Sequence, residues 1–574
     1  MSHVRGTAGL LSIAAVLAAQ TPPAEVTTRE VTPTFQSSVS LVRIPVVVRD
    51  KQGHAAGGLH KEDFQLTDHG KPQYISQFAL EGSAVPKPAA PAPAQLEVPG
   101  EPAATAPKLV VPTRFVAYVF DDYHLKTGDF MYARVAALKH IEHGIPPEER
   151  IALLTLSGRV QIEFTGDVEK FRATLMKVMP VPPSPRVPPA SFFLGEQYAR
   201  NPSILTSAGE ILAGPHDALR VETMVAIDCL DLRGPLQDQA VQFARSALQD
   251  AASEGLARAT GSIRILNSMV GLLSSMPGDR VMVLVSPGIY LSDELQDRFN
   301  DVIERATRAG VVVNALDGRG VHTEGASDDL AGCPSVRPET QMAVEQSHRE
   351  ESLTDEAFLI GLAESTGGTY AAQNDFQAEF DRLALPPEYI YYLGFYPQDL
   401  KPDGKFHEIK VKLATAKGLA LTARKGYWAP SHDEDATATA TREIGEAVFS
   451  RDEIHDLPMD LHTEFYKTGA WDAKATVVSH FDIGRVPLRK QNDRNRDDVT
   501  VVCALFDRNG NFVKGKQSVV EIRLKDENVE RRRAGGVTLH QEFDVKSGDY
   551  LVRVVARDAE GKQMAAVNAV MEIP

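Results

Sequence analysis

The stretch Phe115-Val116-Ala117-Tyr118-Val119-Phe120-Asp121-Asp122-Tyr123-His124-Leu125 decides how this chain is read. Six apolar or aromatic residues without alternation predict a strand buried on both faces, as in the interior of a parallel sheet. Asp121 and Asp122 follow at its carboxyl end, the edge at which open α/β sheets hold their ligands. The same two carboxylates could instead cap the following helix or the neighbouring amides.

Downstream, strands and helices alternate. A helical pattern runs from about Thr127 to His143. Ile151–Leu156 and Val160–Phe164 are joined by Ser157-Gly158-Arg159, a hairpin signal, and Asp167 is placed to cap a helix. Residues 180–236 open with a proline-rich run and read as an insertion. A long helix from about Gln237 to Ser275 leads to the apolar strand Val281–Val285. A helix over Asp293–Ala309, the strand Val311–Leu316 and a second insertion at 318–351 follow. Helices near 353–366 and 375–384 flank a short strand at Thr369-Tyr370, and Gly367-Gly368 reads as a helix C-cap. This alternation predicts an α/β, doubly wound, mostly parallel sheet over residues 113–385.

β patterns flank it. Residues 39–81 and 386–430 each carry short strands with Gly and Asp turns. About 40 residues is marginal for independent folding, so the two segments are expected to pair into one β-module. The eight prolines between Gly82 and Pro112 mark an extended linker. Residues 21–38 and 431–456 also read as linkers. Residues 457–574 hold at least six alternating strands, the spacing of an immunoglobulin-like β-sandwich.

The 574 residues contain 43% hydrophobic and 24% charged side chains, so several folded domains are expected. A net charge of −16 opposes a nucleic-acid partner, which would need a basic face. Arg5, the apolar run Leu10–Leu17 and the small residues Ala18 and Ala19 have the layout of a secretory signal over residues 1–20. Export to the periplasm or beyond is therefore expected, with no transmembrane segment after cleavage, since no later apolar run is long enough to span a bilayer. Of three cysteines, Cys229 and Cys333 lie in loop-like segments and could bridge, whereas Cys503 sits in an apolar strand. No ligand spacing suggests zinc.

Four stretches carry a resemblance: "VVVRDKQGHAAGGLHKEDFQLTDHGKPQYISQF" (residues 46–78), "FDDYHL" (120–125), "PGDRVMVLVSPG" (277–288) and "YYLGFYP" (391–397). In this combination and order the chain resembles the von Willebrand factor A-related proteins exported by acidobacteria. The resemblance implies a von Willebrand factor A, Rossmann-like domain. It also implies a divalent-metal site built from Asp-x-Ser-x-Ser, a Thr, and an Asp after the fourth strand. Here Asp121 takes the first position, but Tyr123 and Leu125 stand where the serines belong, and Ser286-Pro287-Gly288 replaces Thr-Asp-Gly. Asp121, Asp122 and Ser286 are the residues left for a degenerate metal site, with Mg²⁺ or Ca²⁺ as the ion it would take. The Thr has no evident counterpart.

Other motifs are weaker. His140-Ile141-Glu142-His143 is not a zinc signature, Gly510–Lys516 imitates a phosphate loop within a hairpin, and Arg531-Arg532-Arg533 reads as a solvated loop. No nucleophile elbow or paired-carboxylate frame stands out. The expectation is an exported, non-enzymatic binding or adhesion-type protein without a cofactor, recognising a protein or cell-envelope ligand. The alternative is a metal-dependent adhesin using Asp121.

Overall fold

A sheet buried on both faces occupies the middle of the computed structural model. The structure describes residues 25–31, 42–51, 54–82, 112–142, 144–185, 188–321, 330, 333–386, 389–395, 397, 405–414, 418–429, 436–450, 453–484, 486–560 and 563–574. The expected signal peptide and most of the Pro/Ala linker lie outside them.

The architecture is mixed α/β with several sheets. In the central six-stranded sheet the strands lie side by side in the order Tyr370–Ala371, Val311–Asp317, Asp279–Ser286, Arg114–Phe120, Glu149–Thr155, Gln161–Thr165. All neighbours are parallel except the last pair, the two arms of a hairpin. Phe115, Ala117 and Val119 enter one core with the helices Gln237–Ser274, Asp293–Arg308 and Pro338–Thr366. Val116, Tyr118 and Phe120 enter another with Thr127–His140, Val168–Leu175 and Phe376–Ala384. Helices on both faces leave no solvated side, which is why the strand does not alternate.

Among the described residues, both insertions carry helices. Phe192–Arg200, Ala208–Ala213 and Ala218–Cys229 pack on the first half of Gln237–Ser274, through Ala240, Val241, Ala244, Leu248 and Ala251. The second half of the same helix packs on the sheet through Ile263, Leu266, Val270 and Leu273. At about 57 Å long, this helix is shared by two cores. Gly195 lets the helices cross closely, since a Cβ there would lie 2.5 Å from Ala252 N. The helix expected from 353 starts at Pro338, because Ala343 and Val344 pack into the inserted lobe. Cys229 and Cys333 form a disulfide joining the two insertions.

Two four-stranded sheets share a core around Val46, Phe64, Tyr391 and Ile409. One has the order Ala420–Ala423, Val42–Arg49, Tyr389–Phe395, Gln77–Gly82. The other has Gly426–Trp428, Phe406–Leu413, Phe64–Asp68, Lys71–Gln73. Strands from before and after the α/β unit interleave in both, and neither chain segment completes a sheet without the other.

Three expectations are corrected. Within the presumed linker 21–38, Val26–Val31 pairs antiparallel with Phe512–Leu524, and Val26 packs on the C-terminal core. Glu25 anchors it, accepting from Asn528 Nδ2 at 3.0 Å. Within the presumed linker 431–456, Ala436–Phe449 is a helix. Ile444, Ala447 and Val448 cover Val502, Ala504 and Val555, so the seven-stranded C-terminal sheet is also buried on its outer side. The wholly buried Arg553 donates to Ala447 O at 2.8 Å near that helix's end. Arg531–Arg533 belong to the helix Asp526–Gly535, not a loop. The inner side of the seven-stranded sheet shares a core with a three-stranded one, Met459–Lys467, Asp472–Phe481 and Val537–Lys546.

The bridge closes a sequence separation of 104, worth up to about 4–5 kcal/mol by loop-closure entropy. Denaturant unfolding with and without reductant should show a loss of stability in the native protein. Cys229→Ser should begin at the lowered value and ignore the reductant.

Candidate functional site

The carboxyl edge of the sheet is locked to its neighbours before any side chain acts. Asp121 N donates to Val285 O at 2.9 Å, and Leu156 N donates to Phe120 O at 3.0 Å. Asp121 is fully buried. Its Oδ1 accepts from the amides of Tyr123 (3.0 Å) and His124 (2.9 Å), and its Oδ2 accepts from Ser286 Oγ at 2.6 Å. His124 Nδ1 lies 2.9 Å from both oxygens. The carboxylate therefore organises the turn between strand and helix. It does not cap the helix itself, whose N-cap is Lys126.

Asp122 does parallel work on the other side. Ser157 donates to it twice, from N at 2.8 Å and from Oγ at 2.5 Å. Burial pushes its carboxyl above the usual range, and the Ser157 bonds oppose that. Its backbone carbonyl accepts from Val181 N at 2.6 Å, which draws the proline-rich segment over the edge. Arg258, on the long helix, holds the same cover down. Its Nη1 donates to Tyr123 O (2.7 Å) and Val181 O (2.9 Å), and its Nη2 to Pro182 O (2.7 Å). The guanidinium also lies 4.8 Å from the Tyr123 ring centre.

Asp317, ending the next strand, is paired with Arg319 through Nε (3.0 Å) and Nη2 (2.8 Å). Arg319 also reaches Asp355 at 3.5 Å. Burial, then the Glu351 charge, holds the Asp355 carboxyl well above its usual range. The Ser286-Pro287-Gly288 turn runs against that residue. A Cβ on Gly288, at φ +122°, would lie 2.4 Å from Asp355 Cβ.

The residues present do not fit Mg²⁺ or Ca²⁺. A hard cation needs about six oxygens with free lone pairs. Here the Asp121 oxygens face N–H and O–H donors of the same chain, and Ser286 Oγ gives its proton to Asp121. Tyr123 lies against Arg258, and Leu125 is buried in a core. The structure brings Asp121 and Ser286 together and sends Asp122 to Ser157. Sequence reading missed Ser157, Arg258, Arg319 and Asp355 as members of this network. Asp317, a charge ending an apolar strand, was the one available signal.

The remaining motifs are structural. His140 joins Tyr118 Oη (2.9 Å) to Asp381 (2.5 Å), and His143 lies outside the described residues. Most of the phosphate-loop imitation falls in the strand Phe512–Leu524. Gly367, at φ +83°, ends the helix Pro338–Thr366.

Asp121→Ala strands several buried donors and should cost about 3 kcal/mol or more in denaturant unfolding. Asp122 behaves differently. Its raised carboxyl contributes stability below the usual value of 3.8, and that contribution is lost as pH rises through the native value. Asp122→Asn, which keeps an acceptor for Ser157 N, should raise the melting temperature at pH 7 relative to the native protein. The difference should shrink on approach to pH 4.

No protein-family model and no curated protein matches this chain. Among solved structures, it is similar to an aerotolerance-related membrane protein from Bacteroides fragilis carrying multiple mutations to serines. That match has 11% identity and TM-score 0.20, over 47% of this chain and 96% of that one. It is also similar to the conserved hypothetical protein BatB from Bacteroides thetaiotaomicron, at 10% identity and TM-score 0.19, over 47% and 97%. Likenesses of this size add nothing to the geometry above.

Proposed function

We propose that this chain is an exported, non-enzymatic binding protein built on a von Willebrand factor A-like domain. Its former metal-ligand positions hold its own loops, and its inserted helical lobe faces a protein or cell-envelope ligand. The observation that carries this reading is the Asp121 carboxylate, whose two oxygens are engaged by Tyr123, His124 and Ser286. With the edge used for internal bonding and covered by the 180–185 segment, recognition moves to the insertion.

The lobe supports this. Arg245 pins the turn after Phe192–Arg200, donating to Ser203 O at 2.6 Å, to Tyr198 Oη at 2.9 Å and to Leu205 O. Ile204, on that pinned turn, is 92% exposed, and Phe243 on the long helix is 46% exposed. Held rigid, such apolar points lose little entropy when a partner covers them. The Cys229–Cys333 bridge suits an oxidising compartment. Among the described residues, no helix is long and apolar enough to cross a membrane.

Two measurements test the proposal. Millimolar Mg²⁺ or Ca²⁺ should leave the melting temperature unchanged. A rise abolished by Asp121→Ala would favour the metal-dependent adhesin instead. Cross-linking the full-length protein to its own cell envelope should capture a partner. Ile204→Asp combined with Phe243→Asp should lose that partner at unchanged melting temperature. Capture that survives the double substitution would remove the lobe from the binding surface.

A further inference from the structure

Two histidines and a buried carboxylate converge in the β-module, outside the sheet edge described above. Asp68 ends the strand Phe64–Asp68, His69 begins the turn to Lys71–Gln73, and His407 lies on the neighbouring strand Phe406–Leu413. One ligand atom from each lies within 4.8 Å of the other two. The imidazole rings of His69 and His407 stand 4.8 Å apart, centre to centre.

The carboxylate is the telling group. Asp68 is 8% exposed, and its Oδ2 accepts from Tyr427 Oη at 2.9 Å. Its Oδ1 is shielded from solvent and has no hydrogen-bond partner. A buried carboxylate oxygen with nothing to accept is costly unless a cation completes it. Tyr427 also orders the histidine, because its Oη lies 3.4 Å from His407 Nδ1. With the hydroxyl proton on Asp68, a proton on His407 Nδ1 would complete this contact and leave the ring's lone pair on Nε2. A carboxylate and a histidine each held by an outer hydrogen bond is how proteins prepare metal ligands. His69 adds a third donor from a turn in which it has φ 45° and Gly70 φ 77°. Asn or Gly is the usual occupant of such a position, so turn geometry alone does not call for histidine.

We infer that Asp68, His69 and His407 form a binding site for a divalent d-block cation of the Zn²⁺ class. Two imidazole nitrogens and one carboxylate oxygen are a borderline-soft set that suits Zn²⁺ or Co²⁺ and not Mg²⁺ or Ca²⁺. A tetrahedral ion with bonds of about 2.0–2.1 Å draws its donors closer than the present spacing. The exposed His69 ring can supply that movement. Water takes the fourth position. The ion would bond a strand preceding the α/β unit to one following it, in a cluster whose Tyr427–Asp68 contact spans 359 residues. Its role is to clamp the module shut. The inference does not depend on the function proposed for the inserted lobe.

The full-length protein, stripped with chelator, should bind one equivalent of Co²⁺ with the visible absorption of a four-coordinate ion. Zn²⁺ should displace it, and either ion should raise the melting temperature by several degrees. His69→Asn fits the left-handed turn, so it should melt like the stripped native protein and lose both the absorption and the metal-dependent rise. Asp121→Ala should retain both. Absence of binding by the native protein would overturn the proposal, as would a His69→Asn protein that still shows the absorption and the rise.

Discussion

A strand with apolar cores on both faces must hand its first polar residues to the chain around it. Arg114–Phe120 is buried at every position, so water is remote where the peptide turns toward the next helix. Any carboxylate placed there has to find donors within the protein or remain unsatisfied. Asp121 and Asp122 do this in opposite directions, one toward its own turn and Ser286, the other toward Ser157. The shape of the edge and its cover follow from that division.

The cover is made by the inserted lobe, and the long helix makes the lobe part of the α/β unit. One end of Gln237–Ser274 packs in each core, and a helix is stiff over that length. Arg258, near the change from one core to the other, turns its guanidinium to the carbonyls of Tyr123, Val181 and Pro182. Arg319 and Arg553 act similarly, each holding groups that burial would otherwise leave short of donors. Arginine suits this task because its fork of donors stays charged and rigid.

Connectivity distributes stability in an unusual way. The β-module is completed only when residues after the α/β unit return to strands before it. Residues 26–31 join the C-terminal sheet. Each such closure carries loop entropy, which rises slowly with length. Long excursions are therefore tolerable once the returning strands bury a core.

Period and burial were legible in the sequence alone. The non-alternating run at 115–120, the hairpin at Ser157-Gly158-Arg159 and the Asp167 cap follow from local chemistry, and all three are found. Two supposed linkers were not legible, because Val26–Val31 and Ala436–Phe449 are short segments whose burial depends on surfaces remote in sequence. The resemblance set Ser286 beside Asp121, but Ser157 as the partner of Asp122 could not be read, since it lies in a separate segment. The cluster of Asp68 with His407 is the extreme case, showing no local spacing at all. Sequence determines which segments must be buried. Tertiary structure decides which charges meet, because a carboxylate's partner is set by where the cores bring distant strands together.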